Sequence, residues 1–117
     1  MFELIGFSGI ILAFSIIFLV MRENSYASKR IGVQEGQKVI STGLYAYVRH
    51  PMYTGFIFMS IGLPFALGSL LALPSGIIVI ITIAIRAYYE EKTLMDELIG
   101  YKEYMQKVQY RLIPYIF

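Results

Sequence analysis

The chain has 117 residues, 57% of them hydrophobic, with a formal net charge of +2, one histidine and no cysteine. These figures exclude a disulfide framework, a thiol nucleophile and a zinc site of ordinary ligands. A mean hydropathy of +0.64 is too high for a soluble domain of this length, and lipid admits only helices or closed barrels. The apolar runs do not alternate with polar residues, which excludes barrel strands. The basic residues are interleaved with acids beside lipid-length runs, which excludes a nucleic-acid surface. The expected fold is an all-α integral membrane domain with three transmembrane helices: one N-terminal helix, then a C-terminal helical hairpin.

The first apolar run, residues 2–21, is close to the ~20 residues that span hydrocarbon. It starts with Glu3 rather than a basic cluster and has no small-residue cleavage pattern before Arg22. It therefore reads as a retained crossing helix (residues 1–21) and not a signal peptide. Residues 22–51 follow as a polar loop with turns at Gly32, Gly36 and Gly43. The second run is 52–67 and the third 69–85, the latter extending as a helix to about 89 or beyond Glu91. Gly68-Ser69 reads as the turn of the hairpin, flanked by Pro64 and Pro74, which kink it. Gly55, Gly62 and Gly68 are small residues suited to close helix packing. Residues 90–117 form an amphipathic tail, with Leu94, Leu98 and Tyr101 on one face. Tyr101, Tyr104 and Tyr110 resemble an interfacial aromatic belt.

Every Lys and Arg lies either in 22–49 or in 86–111, and none falls in 52–85. The positive-inside rule then places both polar segments in the cytoplasm and the N-terminus outside, across the cell or inner membrane.

Two polar clusters meet the apolar runs at their ends: Arg49-His50-Pro51 and residues 86–91. Charged groups at such a boundary are costly and point to a site. Arg86 and Glu90 are four apart, share a helix face and can pair, while Glu91 points elsewhere. A guanidinium at a helix end is partly desolvated and suits a carboxylate or phosphate, because its planar fork binds two oxygens. The competing reading is an arginine that snorkels and marks the membrane edge. His50 reads either as a general base or as an interfacial histidine. Arg49 reads as a headgroup anchor, Pro51 as the first residue of a helix, and Tyr45 and Tyr53 as belt residues. The residues alone give one cytoplasm-facing site for a molecule with charged and apolar parts, and no reaction.

The motifs Gly43-Leu-Tyr-Ala-Tyr-Val-Arg-His-Pro-Met-Tyr53, Arg86-Ala-Tyr-Tyr-Glu-Glu91, Tyr101-Lys-Glu-Tyr104 and Arg111-Leu-Ile-Pro114 together resemble the isoprenylcysteine carboxyl methyltransferase family, in its bacterial branch. The resemblance implies S-adenosylmethionine as cofactor. It implies cofactor contacts at Gln37, Lys38, Val39, Ile40, Tyr45, His50, Pro51, Met52, Tyr53 and Glu90, with Arg86 on the substrate side. Arg86 and Glu90 are then the residues expected to carry catalysis, and no metal is expected. His50 is assigned to binding rather than proton transfer. An ionised carboxylate acceptor needs no base, so positioning supplies much of the acceleration. The implied acceptor is a prenylcysteine-like or other amphiphilic carboxylate. The alternatives are a phospholipid or amine methyltransferase, a reductase-type relative that binds a nicotinamide dinucleotide, and a non-enzymatic membrane scaffold. Members of that family carry more helices upstream, so the chain is either a minimal form or part of a longer one. A second copy of the chain is the candidate partner that would close its pocket.

Overall fold

A computed structural model describes residues 2–24, 39–114 and 116–117. Among these the fold is all-helical. The long elements are α1 (Phe2–Glu23), α2 (Pro51–Ala66), α3 (Leu73–Glu97) and the short α4 (Tyr101–Lys107). A 3₁₀ turn over Gly43–Ala46 precedes α2, and a second over Leu70–Ala72 leads into α3. At 1.5 Å per residue, α1 and α3 are about 33 and 37 Å long, enough to cross hydrocarbon of ~30 Å. The 16 residues of α2 reach only about 24 Å, so length identifies two crossing helices where three were expected. α3 runs on to Glu97, past Glu91 as the longer of the two expected extents had it, so Glu90 and Glu91 belong to one continuous helix.

α2 lies between α1 and α3. Glycines let it come close to α1. A Cβ added at Gly6 would sit 2.6 Å from Gly62 O, and one at Gly62 would sit 3.0 Å from Gly6 O. One at Gly55 would meet Ile17 Cγ1 at 2.8 Å and Ala13 O at 3.3 Å. The backbones touch directly, the arrangement by which membrane helices gain dispersion energy where apolar transfer gives none. Gly55 and Gly62 do the work expected of them. Gly68 does not: its φ of +67° makes it the left-handed residue of the hairpin turn.

The α2–α3 contact has another basis. Pro64 has no N–H for the carbonyl of Ser60 four residues back. Gly76 of α3 comes so near that its added Cβ would lie 2.5 Å from Ser60 O. A glycine Cα–H is thereby aimed at the carbonyl that the proline left free.

Most of the long helices' surface stays bare. Only 17% of the most apolar stretch of α1, and 17% of that of α3, is buried inside the molecule. Phe7, Ile11, Phe14 and Phe18 on α1, and Ile77, Ile78, Ile81 and Ile85 on α3, are all exposed. A helix in a soluble core would hide such residues; here they form continuous apolar faces.

Candidate functional site

The site forms where the N-terminus of α2 meets the last turns of α3. Pro51 sits at the first helical position of α2, and His50 immediately precedes it as N-cap. That fixed start places Tyr53 and Thr54 one turn inside the helix, next to the corner they follow.

Glu91 is the centre of the corner. It is 2% exposed. Its Oε2 accepts a hydrogen bond from His50 Nε2 at 2.7 Å, and its Oε1 accepts one from Arg111 Nε at 3.0 Å. Arg49 Nε lies 3.4 Å from Oε2 but makes no hydrogen bond. A carboxylate can only accept, so His50 carries its proton on Nε2. One buried carboxylate is thus surrounded by two guanidinium groups and an imidazole. Three separate pieces of chain meet there: the segment before α2, helix α3 and the segment after α4.

Glu90 faces the other way. It is half-buried and accepts the hydroxyl of Tyr53. Arg86 Nε donates to that same hydroxyl at 3.1 Å. Arg86 and Glu90 are therefore joined through Tyr53 and make no direct ion pair. The Tyr53 ring stacks on His50, with centroids 5.5 Å apart and planes 15° apart. A chain of contacts runs Arg86–Tyr53–Glu90 on one side and Tyr53–His50–Glu91 on the other. Arg86 is exposed rather than partly desolvated, so the rest of its fork is open to a ligand.

A third layer holds the preceding loop. The Tyr104 hydroxyl donates to Tyr45 O at 2.6 Å and lies 3.3 Å from Val48 O. Asn24, just past α1, donates from Nδ2 to the Tyr45 hydroxyl at 3.1 Å. Val39 and Tyr45 pack against a buried cluster of Leu98, Tyr101, Tyr104 and Val108. Burial pushes the Tyr45, Tyr101 and Tyr104 hydroxyls up from the ordinary phenol range. Tyr101 and Tyr104 are 4% and 5% exposed, so they are core residues and not the interfacial belt expected of them. Leu94, Leu98 and Tyr101 do meet in one cluster, but not on one helix face: α3 ends at Glu97, and the left-handed Gly100 separates it from α4, which Tyr101 opens.

The residues assigned to a cofactor by resemblance divide by position. His50, Pro51, Tyr53 and Glu90 come together at the corner, with Met52 beside them in the first turn of α2. Val39 and Tyr45 adjoin it on the aromatic cluster, and Ile40 follows Val39 in the same stretch. Gln37 and Lys38 lie outside the described residues. Glu91, Arg111 and Thr54 were not among the expected site residues. Glu91 carried a signal as the second acid of the Glu90-Glu91 pair, and Arg111 one as the first residue of the Arg111-Leu-Ile-Pro114 motif; Thr54 carried none. No group of three or more His, Cys, Asp or Glu side chains suits a metal among the described residues.

A family model described as phospholipid methyltransferase matches residues 2–102. The match takes in α1, both polar clusters and the start of α4. It differs from the isoprenylcysteine carboxyl methyltransferase resemblance of the motifs, although both families fall in one broad superfamily of membrane methyltransferases. With apolar helices left bare for lipid, a corner of buried charge at their ends and a match over most of its length, this chain is a membrane protein belonging to the phospholipid methyltransferase family.

Proposed function

We propose that the chain is an S-adenosylmethionine-dependent methyltransferase whose acceptor is an amphiphile drawn from the membrane and bearing an anionic group, a phosphate or a carboxylate. The observation that carries this reading is the Tyr53 hydroxyl, which links Arg86 to Glu90 while its ring stacks on His50. It unites the two motifs at one spot. Two features fit the cofactor. The Tyr101 hydroxyl is buried with no hydrogen-bond partner, in the same cluster that carries Val39 and Tyr45. Glu90 offers a half-buried carboxylate to polar groups of the nucleoside or amino acid.

When bound, the sulfonium supplies the methyl group that the acceptor takes. The chain's own residues bind and orient. Arg86 grips the acceptor's anionic group with the part of its fork that Tyr53 leaves open. Tyr53 fixes the direction of that fork. Tyrosine faces favour a cationic sulfur. The burial of Glu91, His50 and Pro51 keeps water from one side of the site.

The family's description favours a phospholipid headgroup, with Arg86 on the phosphate. A prenylcysteine-like carboxylate is the second reading, favoured by the motif order and by its need for no base. On either reading α1, α2 and α3 all cross the bilayer, the polar ends face the cytoplasm and the N-terminus lies outside. The charge-free stretch 52–85 supports this, and a short α2 is accommodated by local thinning of the bilayer. A second copy of the chain is the partner that would close the pocket. Transfer of a labelled methyl group from S-adenosylmethionine is the test, with phosphatidylethanolamine and a prenylcysteine analogue offered in parallel. Labelling of phosphatidylethanolamine supports the first acceptor and labelling of the analogue the second. Labelling of neither, by chain that retains its helical spectrum, rejects both.

A further inference from the structure

We propose that residues 110–112 form a positioning strap for the site, with Arg111 holding the Arg49–His50 corner against α3 through Glu91. The backbone N–H of Arg49 donates to Tyr110 O at 2.9 Å, and that of His50 donates to Arg111 O at 2.9 Å. Two successive amides ahead of α2, which no helix bond could serve, are thus satisfied by a segment some sixty positions away. Thr54 Oγ1 donates to Leu112 O at 2.6 Å. The Leu112 side chain, 2% exposed, is buried with Ile57 of α2 and Ile83 of α3. Arg111 itself lies over the rings of Tyr88 and Phe117, at 5.6 and 5.3 Å from their centroids, and donates to Glu91. The strap therefore touches the corner by backbone, by hydroxyl, by apolar packing and by charge.

Arg111 is not among the groups proposed to meet a ligand. It acts through Glu91, which fixes the His50 ring on which Tyr53 stacks. Its effect on methyl-donor affinity rests on the proposed function; its effect on His50 does not. The chain's single histidine makes the two separable, because one imidazole gives one pair of ring ¹⁵N resonances.

The test compares the full chain in detergent with Arg111→Ala, Arg111→Lys, Thr54→Val and the exposed control Lys102→Ala. The expected result is that Arg111→Ala moves the His50 ring resonances and weakens S-adenosylhomocysteine binding at least tenfold. Arg111→Lys restores part of both, Thr54→Val moves the resonances less, and Lys102→Ala leaves them in place. If Arg111→Ala does not fold, Thr54→Val carries the test. Native His50 resonances in a folded Arg111→Ala or Thr54→Val chain overturn the strap. A native chain that binds no S-adenosylhomocysteine, with His50 still displaced by Arg111→Ala, overturns the proposed function and upholds the strap.

Discussion

The α1–α2 interface and the Glu91 corner lie at different places along α2 and hold it by opposite means. At the first, Gly6, Gly55 and Gly62 leave no room for a single added carbon, and backbone touches backbone. At the second, one carboxylate is wrapped by Arg49, His50 and Arg111. Shape is the constraint in the first region and charge in the second. The first is intolerant of added volume; the second is intolerant of a lost partner. The difference teaches where function can reside: a glycine seam offers a ligand nothing, whereas the corner is already an arrangement of donors and acceptors.

Glu91→Ala should have the largest effect, because it strands the buried Arg49 guanidinium and removes the carboxylate from the part-buried Arg111. A loss of about 3–5 kcal/mol is expected, seen as a large drop in the thermal midpoint in detergent. Gly6→Ala should come next. The new methyl would meet main-chain atoms that have no alternative rotamer, at a cost near the ~3 kcal/mol upper end for overpacking, read by the same melt. Tyr104→Phe removes one donor from the loop carbonyls and should cost about 1 kcal/mol.

Alkali sharpens the same point. Tyr101 and Tyr104 have hydroxyls raised by burial, while in the unfolded chain they ionise near pH ~10. Their contribution is therefore complete below that pH and declines as the pH rises above it toward the folded values. Unfolding measured from pH 9 to 11 should show the decline, and Tyr104→Phe should flatten it. Arg86→Ala should have the smallest effect on stability, within about 0.5 kcal/mol for an exposed side chain. It should abolish methyl transfer all the same, as an activity assay beside the melt would record.

The apolar runs, the proline that opens α2 and the Gly68 turn were legible because each is a local signal of length, ring or left-handed φ. The choice between Glu90 and Glu91 was not. Spacing from Arg86 selects Glu90, yet a step of about 100° to the next residue turns Glu91 toward α2 and the strap. Only the position of those neighbours decides which of two adjacent acids becomes buried. The motif Arg111-Leu-Ile-Pro114 marked Arg111 and Leu112 by resemblance, but what they touch was illegible for a related reason. A short segment without periodicity gives no hint that its carbonyls serve amides at Arg49 and His50. Tyr101 and Tyr104 misled because an aromatic near a membrane edge has the same appearance in sequence whether it faces headgroups or a buried cluster.

On the proposed function, Tyr53 and Glu90, brought together in the last turns of α3, take part in holding the methyl donor. Calorimetric titration with S-adenosylhomocysteine, on the native chain beside Glu90→Gln and Tyr53→Phe, tests it most directly. Saturable binding to the native chain is expected, with at least tenfold weaker binding to both variants at unchanged helix content. Equal binding by all three, or none by a folded native chain, would contradict it.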